Sequence, residues 1–269
     1  MRARDAADVG LSSTARAIIL TVVGLLFLLP LVAMLEFTFR AGLGGGYTGE
    51  HWASLVAPDS ARTYRNLFSG ITNSLTIAAV TVGIVVLVLL PTMIVVELSF
   101  PRLRRVLEFI CIIPITVPAI VVVVGLAPVY SVVVKLFGGA PWTLAFAYGI
   151  TVLPYAYRAI HANLTAVDVR TLSEAARSLG APWVTVLVRV LLPNLRRGVL
   201  AASLIAVAVV LGEFTIASLL NRVNLQTALL QVSQTNPYVA TALALVALLF
   251  AFSLLLVMGR VGTSPQRRK

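Results

Sequence analysis

Few side chains in this sequence could make or break a covalent bond. His51 and His161 have no neighbour at metal-ligand spacing. Cys111, the only cysteine, sits inside an apolar run, where it fills space rather than pairs or ligates. There is no G-x-x-x-x-G-K-[ST] phosphate loop, no H-E-x-x-H and no nucleophile elbow, so the chain has no means of hydrolysing ATP. Two features with non-covalent chemistry remain. One is the charged, helix-punctuated stretch 171–193, TLSEAARSLGAPWVTVLVRVLLP, suited to docking. The other is Glu213, a carboxylate inside the apolar run VLGEFT, which is costly at that depth and should face a cavity, a cation or a neighbouring helix.

The element that positions the docking residues follows from spacing. Thr171 and Glu174 have the T-x-x-E pattern of a capping box, which predicts a helix starting at Leu172. Leu172, Ala175, Ala176 and Leu179 then recur at i, i+3, i+4 and i+7 and form one apolar stripe, with Ser173, Arg177 and Ser178 elsewhere on the surface. Gly180 is suited to a left-handed C-terminal cap, and Pro182 to the first turn of a second helix that stops near Pro193. Ala175 and Ala176 permit close approach of another surface, and Glu174 and Arg177 flank the stripe as rim charges. A helix of this length is unstable alone in water, so it must pack on something. Spacing leaves open whether that is its own neighbouring helices or another protein.

Composition defines the surroundings. With 59% hydrophobic residues, 12% charged residues and a mean hydropathy of +0.98, the chain is an all-α polytopic membrane protein. Six apolar runs are predicted to cross the bilayer, at about 17–39, 73–96, 107–129, 142–157, 198–220 and 238–258. The first is longer than a signal-peptide core and lacks a small-x-small cleavage site after it. The third is interrupted by Pro114, Pro118, Gly125 and Pro128, and the fourth is brief. Residues 40–72 read as a glycine-rich polar loop with no helical period, 158–197 as a long polar segment, and the stretch carrying Arg222, Asn224, Gln226 and Gln231 as a short loop. Tails are expected at 1–16 and 260–269 around one permeation domain, 17–259.

The net charge of +11 could suggest nucleic acid, but the basic residues surround hydrophobic runs instead of forming an aromatic-bearing face. With both termini inside, 16 of the Lys and Arg residues fall in inside segments and 5 outside, a bias that places 171–193 in the cytoplasm.

Glu174-Ala175-Ala176, Gly180 and Leu192-Pro193 resemble the EAA loop of permease subunits of binding-protein-dependent ABC importers. Weaker resemblances are Asn73-Ser74-Leu75, Ile113-Pro114-Ile115-Thr116-Val117-Pro118 and Leu153-Pro154-Tyr155, so that the likeness spans about 73–258. It implies a MetI-like fold of six transmembrane helices, with a cytoplasmic coupling helix between the fourth and fifth. It also implies coupling through Leu172, Glu174, Ala175, Ala176, Arg177, Leu179, Gly180 and Pro193. The implied partners are two ATPase subunits that bind ATP and Mg, a second and distinct permease subunit, and an extracytoplasmic binding protein, in the bacterial inner membrane. This chain itself is expected to bind no cofactor and no metal. Gly212-Glu213-Phe214 is most similar to the polyamine, ferric-iron, phosphonate and sulfate subgroup. Glu213 on the solute pathway would suit a polyamine; ferric iron, phosphonate or another small anion is the alternative. A secondary transporter is disfavoured, because Glu213 stands almost alone where a proton relay needs several intramembrane charges, and a membrane-embedded enzyme lacks a catalytic constellation.

Overall fold

The structure, a computed structural model, describes residues 12–42 and 44–262; of the expected tails, 1–11 and 263–269 lie outside the described residues, while 13–16 and 260–262 are helical, continuing the first and last helices rather than forming tails. Apart from one isolated β-bridge between Arg40 and Tyr47, all regular structure among the described residues is helical. Helix α1 (Ser13–Thr38) begins where the Ser12 hydroxyl accepts from the Ala15 N–H at 3.2 Å. It is apolar on every face and buries only Thr38, as a lipid-facing helix does. Residues 40–72, expected as an irregular loop, instead form two short helices, α2 (Glu50–Val56) and α3 (Ser60–Thr63), and the start of α4.

Helix α4 (Arg65–Ser99) runs through a π-helical turn, Val85–Leu89, that ends two residues before Pro91. A second π turn, Val186–Leu191, stands in the same relation to Pro193 in α9 (Trp183–Asn194). Proline offers no N–H and its ring crowds the carbonyl four residues back, so a widened turn just before it relieves the clash without ending the helix.

The third apolar run divides into α5 (Arg104–Thr116) and α6 (Ala119–Phe137). Of the predicted breakers only Pro118 acts, by holding Val117 extended at φ −103° and ψ 127°. Pro114 and Pro128 lie inside helices, and α6 continues through residues expected to be loop. Helix α7 (Leu144–Ala166) is longer than predicted: the first part of the segment assigned to 158–197 continues it, since backbone bonding does not stop where hydropathy falls. After α8 (Val169–Ser178) and α9, the chain bends by 76° at Leu195 into α10 (Arg196–Gly212). Then follow α11 (Thr215–Leu219), α12 (Leu225–Thr235) and α13 (Pro237–Gly262). The predicted short loop before the last helix is therefore largely the helix α12.

Among the described residues three helices, α1, α4 and α6, have the length and hydropathy to cross a membrane, and the bent pair α9 and α10 makes a fourth. The core gathers around α7, which packs on α4, α5 and α10. Helix α10 meets it with Gly198, Ala202, Ala206 and Val210, four residues apart along one face. Small residues at that spacing let two backbones approach closely, which is how helices gain dispersion energy where lipid removes the hydrophobic drive. The approach is tightest at Gly198, where an added Cβ would stand 2.5 Å from Asn163 Cβ.

The two ends of the bundle differ. At one, Arg104 donates to Glu97 at 3.4 Å and to His161 Nε2 at 3.0 Å, and His161 stacks on Tyr157. At the other, Tyr238 is stacked between Phe37 and His51, each 4.8 Å away, and Arg222 reaches the Gly139 carbonyl at 2.9 Å.

Candidate functional site

Helix α8 lies at the first of these ends, and its start differs from the expected capping box. Asp168, not Thr171, is the N-cap. Its Oδ1 accepts from the Thr171 N–H at 3.1 Å, and its Oδ2 accepts from the Thr171 hydroxyl at 2.7 Å. These bonds to Thr171 hold the Asp168 carboxyl below the ordinary aspartate range. The helix therefore starts at Val169, three residues before the position that T-x-x-E predicts. An ionised carboxylate accepts from both donors of Thr171 at once, and a threonine hydroxyl at 171 cannot compete with it.

The C-terminus is as expected. Gly180 has φ +80°, its N–H donates to Arg177 O at 2.9 Å, and the Ala181 N–H donates to Ala176 O at 3.1 Å. This pair of bonds is a Schellman cap. Pro182 stands one position before the first turn of α9, and its carbonyl accepts from Val186 at 3.1 Å. Helix α9 ends at Asn194, next to the predicted stop at Pro193.

Starting the helix earlier changes which face is buried. The inward stripe is Val169, Leu172, Ser173 and Ala176, resting on the π turn of α9 and the end of α4. Ser173, expected on the surface, is 5% exposed. Leu172 and Ala176 thus anchor the helix. Ala175, Glu174, Arg177 and Gly180 are exposed, and Leu179 is 89% exposed. The predicted apolar stripe is split: half faces the protein's own core and half faces outward. Beside it a cavity of about 400 Å³ is lined by Leu98, Ser99, Arg170, Ser173, Glu174, Arg177 and Trp183. The site thus offers an open recess bordered by both signs of charge and an uncovered leucine at a rigid helix end.

Glu213 lies elsewhere, where α10 ends. Its backbone is extended, at φ −81° and ψ 123°, and both carboxylate oxygens accept from the Ile216 N–H at 3.0 Å. The side chain caps the helix that follows it, satisfying a donor that a break within an apolar run leaves orphaned. Around it is a network that sequence reading did not assemble. Asn224, fully buried, donates to Glu213 O at 2.6 Å and to the Tyr148 hydroxyl at 3.1 Å. The Ser74 hydroxyl accepts from Leu225 N at 2.8 Å, Asn73 donates to Val223 O at 2.9 Å, and Gln226 donates to Leu211 O at 2.8 Å. One signal was available: Asn224-x-x-Thr227 is a capping box, and the structure makes both of its bonds.

Among the described residues no group of three or more His, Cys, Asp or Glu side chains could hold a metal ion.

Comparison with known proteins joins these observations. The phosphate transport system permease protein PstA of Pasteurella multocida is 31% identical over 114 residues, covering 42% of this chain and 40% of that protein. The family described as binding-protein-dependent transport system inner membrane component matches residues 90–263, a span that contains α8, its cavity and the broken helix at Glu213. A match over most of the chain, centred on the capped helix between membrane-crossing elements, makes this protein a member of that family of inner membrane transport components.

Proposed function

We propose that this chain is the permease subunit of an ATP-driven, binding-protein-dependent importer, forming the solute pathway with a second permease subunit and coupling to two cytoplasmic ATPase subunits through α8. The observation that carries the proposal is the division of labour on α8 within the matched region. Val169, Leu172, Ser173 and Ala176 fasten the helix to α4 and α9, while Glu174, Ala175, Arg177 and Leu179 are left for a partner. A short helix packed on two membrane-crossing helices can pass a push from outside the bundle into it, because close-packed side chains transmit displacement rather than absorb it. Gly180 sets the turn into α9, and Pro193 lies near its end, so both govern how that push reaches α10.

The substrate is a small oxyanion of the phosphate or phosphonate class. The relative whose printed name is that of a phosphate permease supports this reading over the polyamine that Glu213 suggested. So does the state of Glu213, whose oxygens are engaged in capping α11.

Crosslinking tests the coupling. A cysteine at Ala175, with Cys111 replaced by alanine, should crosslink in intact membranes to a separate ATP-hydrolysing chain, and the adduct should change with nucleotide. Adducts only to lipid or to this protein's own helices would refute the proposal.

A further inference from the structure

The connection between α11 and α12 holds a cation, Arg222, that belongs to neither α8 nor the network around Glu213. Helix α11 ends in a Schellman cap built on Asn221, whose φ is +53°: Asn221 N donates to Ser218 O at 3.1 Å, and Arg222 N to Ala217 O at 2.8 Å. The Arg222 backbone is therefore fixed. Its side chain is fixed as well, since Nη1 donates to the Gly139 carbonyl at 2.9 Å and the guanidinium lies 5.9 Å from the centre of the Tyr130 ring. Tyr130 is itself held by a 2.9 Å hydroxyl contact with Thr143. The seat is close: a Cβ at position 139 would stand 3.0 Å from Nη1 and 3.2 Å from Nη2, so the guanidinium would have to give by a few tenths of an ångström.

Every group holding the guanidinium is neutral. No carboxylate pairs with Arg222 among the described residues, in contrast to Arg40 with Glu36 and Arg104 with Glu97. Its Nε–H is buried without a hydrogen-bond partner, and Nη2 donates to no group among the described residues. Nε–H and the adjoining Nη2–H form the edge of a guanidinium that binds two oxygens of one oxyanion in parallel. A buried donor left unsatisfied on a fixed cation calls for an acceptor, and an oxyanion supplies two in the geometry of that edge.

We propose that Arg222 is an oxyanion-recognition residue at the end of the bundle opposite α8. The Gly139 carbonyl holds it ready, and its Nε/Nη2 edge takes one phosphate-like anion when the connections at 138–140 and 220–224 part. The inference rests on the anionic-substrate reading and adds to it the residue that would meet the anion. A charged acceptor outcompetes a neutral carbonyl for the guanidinium, so arrival of the anion favours the parted arrangement.

The test uses the complete importer in proteoliposomes, with its binding protein and ATPase subunits, and radiolabelled inorganic phosphate, methylphosphonate and sulfate in turn. Arg222→Gln, which removes the charge and the guanidinium edge, should lower uptake of the transported anion at least tenfold. Arg222→Lys should fall between it and the wild type. Gly139→Ala, which crowds the guanidinium by a few tenths of an ångström and keeps its charge, should retain more uptake than Arg222→Gln. Wild-type uptake by Arg222→Gln would show that the charge is not used, and Gly139→Ala as damaged as Arg222→Gln would show a structural brace; either overturns the inference while leaving the anionic substrate intact. A wild-type complex that imports a cation and none of the three anions would overturn both. Should Arg222→Gln fail to assemble, the other two variants decide: Arg222→Lys below Gly139→Ala upholds the assignment, and the reverse order removes it.

Discussion

Asp168 and Gly180 show how much a single position can settle. Thr171 and Glu174 have the spacing of a cap, yet the carboxylate three residues upstream takes both donors of Thr171 and moves the helix start back to Val169. The outcome follows from acceptor strength, since an ionised oxygen next to two donors outbids a hydroxyl. Gly180 presents no such competition. At φ +80°, with nothing within 4 Å of where a Cβ would stand, it costs a side chain only backbone strain. Valine there should lose about 1–2 kcal/mol in the left-handed conformation and unwind the cap. The expected result is a Gly180→Val protein that inserts and assembles normally but fails to couple. In a reconstituted complex, substrate-stimulated ATPase and uptake should fall together; wild-type stimulation would contradict the role given to the turn.

Among elements, the pair α7 and α10 carries the tightest constraint. Asn163 on α7 is met by Gly198 on α10, and the hypothetical Cβ at 198 lies 2.5 Å from Asn163 Cβ and 3.3 Å from the Ala159 carbonyl. Backbone and Cβ atoms cannot rotate away as the tip of a long side chain can, so Gly198→Ala must push the helices apart. Overpacking of this kind typically costs about 1–3 kcal/mol. The detergent-purified variant should melt at a lower temperature than wild type. Adding Asn163→Gly, which removes the opposing Cβ, should recover part of that loss despite glycine's own helix penalty. A Gly198→Ala protein as stable as wild type would show that the two helices separate freely. The π turns in α4 and α9 act at the same level, each letting a helix pass a proline without breaking.

The molecule as a whole has two dissimilar ends. One gathers the basic turn Phe100-Pro101-Arg102 and helix α8; the other gathers the connections around Tyr47, Gly138 and Val223. As a member of its family the chain is a non-catalytic membrane subunit; on the proposed function, the energy for transport enters through a protein contact. The excess of Lys and Arg on the α8 side predicts that this end is cytoplasmic. In a Cys111→Ala background, cysteines at Tyr47 or Val223 should react with an impermeant maleimide in intact cells. A cysteine at Arg102 should react only in inverted vesicles. The opposite pattern would invert the orientation and detach α8 from any cytoplasmic ATPase.

Membrane class and the end of the docking helix at its left-handed Gly180 cap were legible in the chain because they depend on composition or on residues within four positions of one another; the start of that helix was misplaced by three residues because Asp168 outcompeted Thr171. Which half of the α8 stripe is buried was not legible, because that depends on α4 and on the π turn of α9. The role of Glu213 was half legible: its cost in an apolar run was plain, but its partner is an N–H exposed by a helix break. That break is held in place by contacts such as Asn73 to Val223 and Ser74 to Leu225, between residues far apart in the chain. Local chemistry writes the ends of helices; which faces meet, and where an apolar run folds back, is decided by hydrogen bonds and close packing between distant segments that no short window contains.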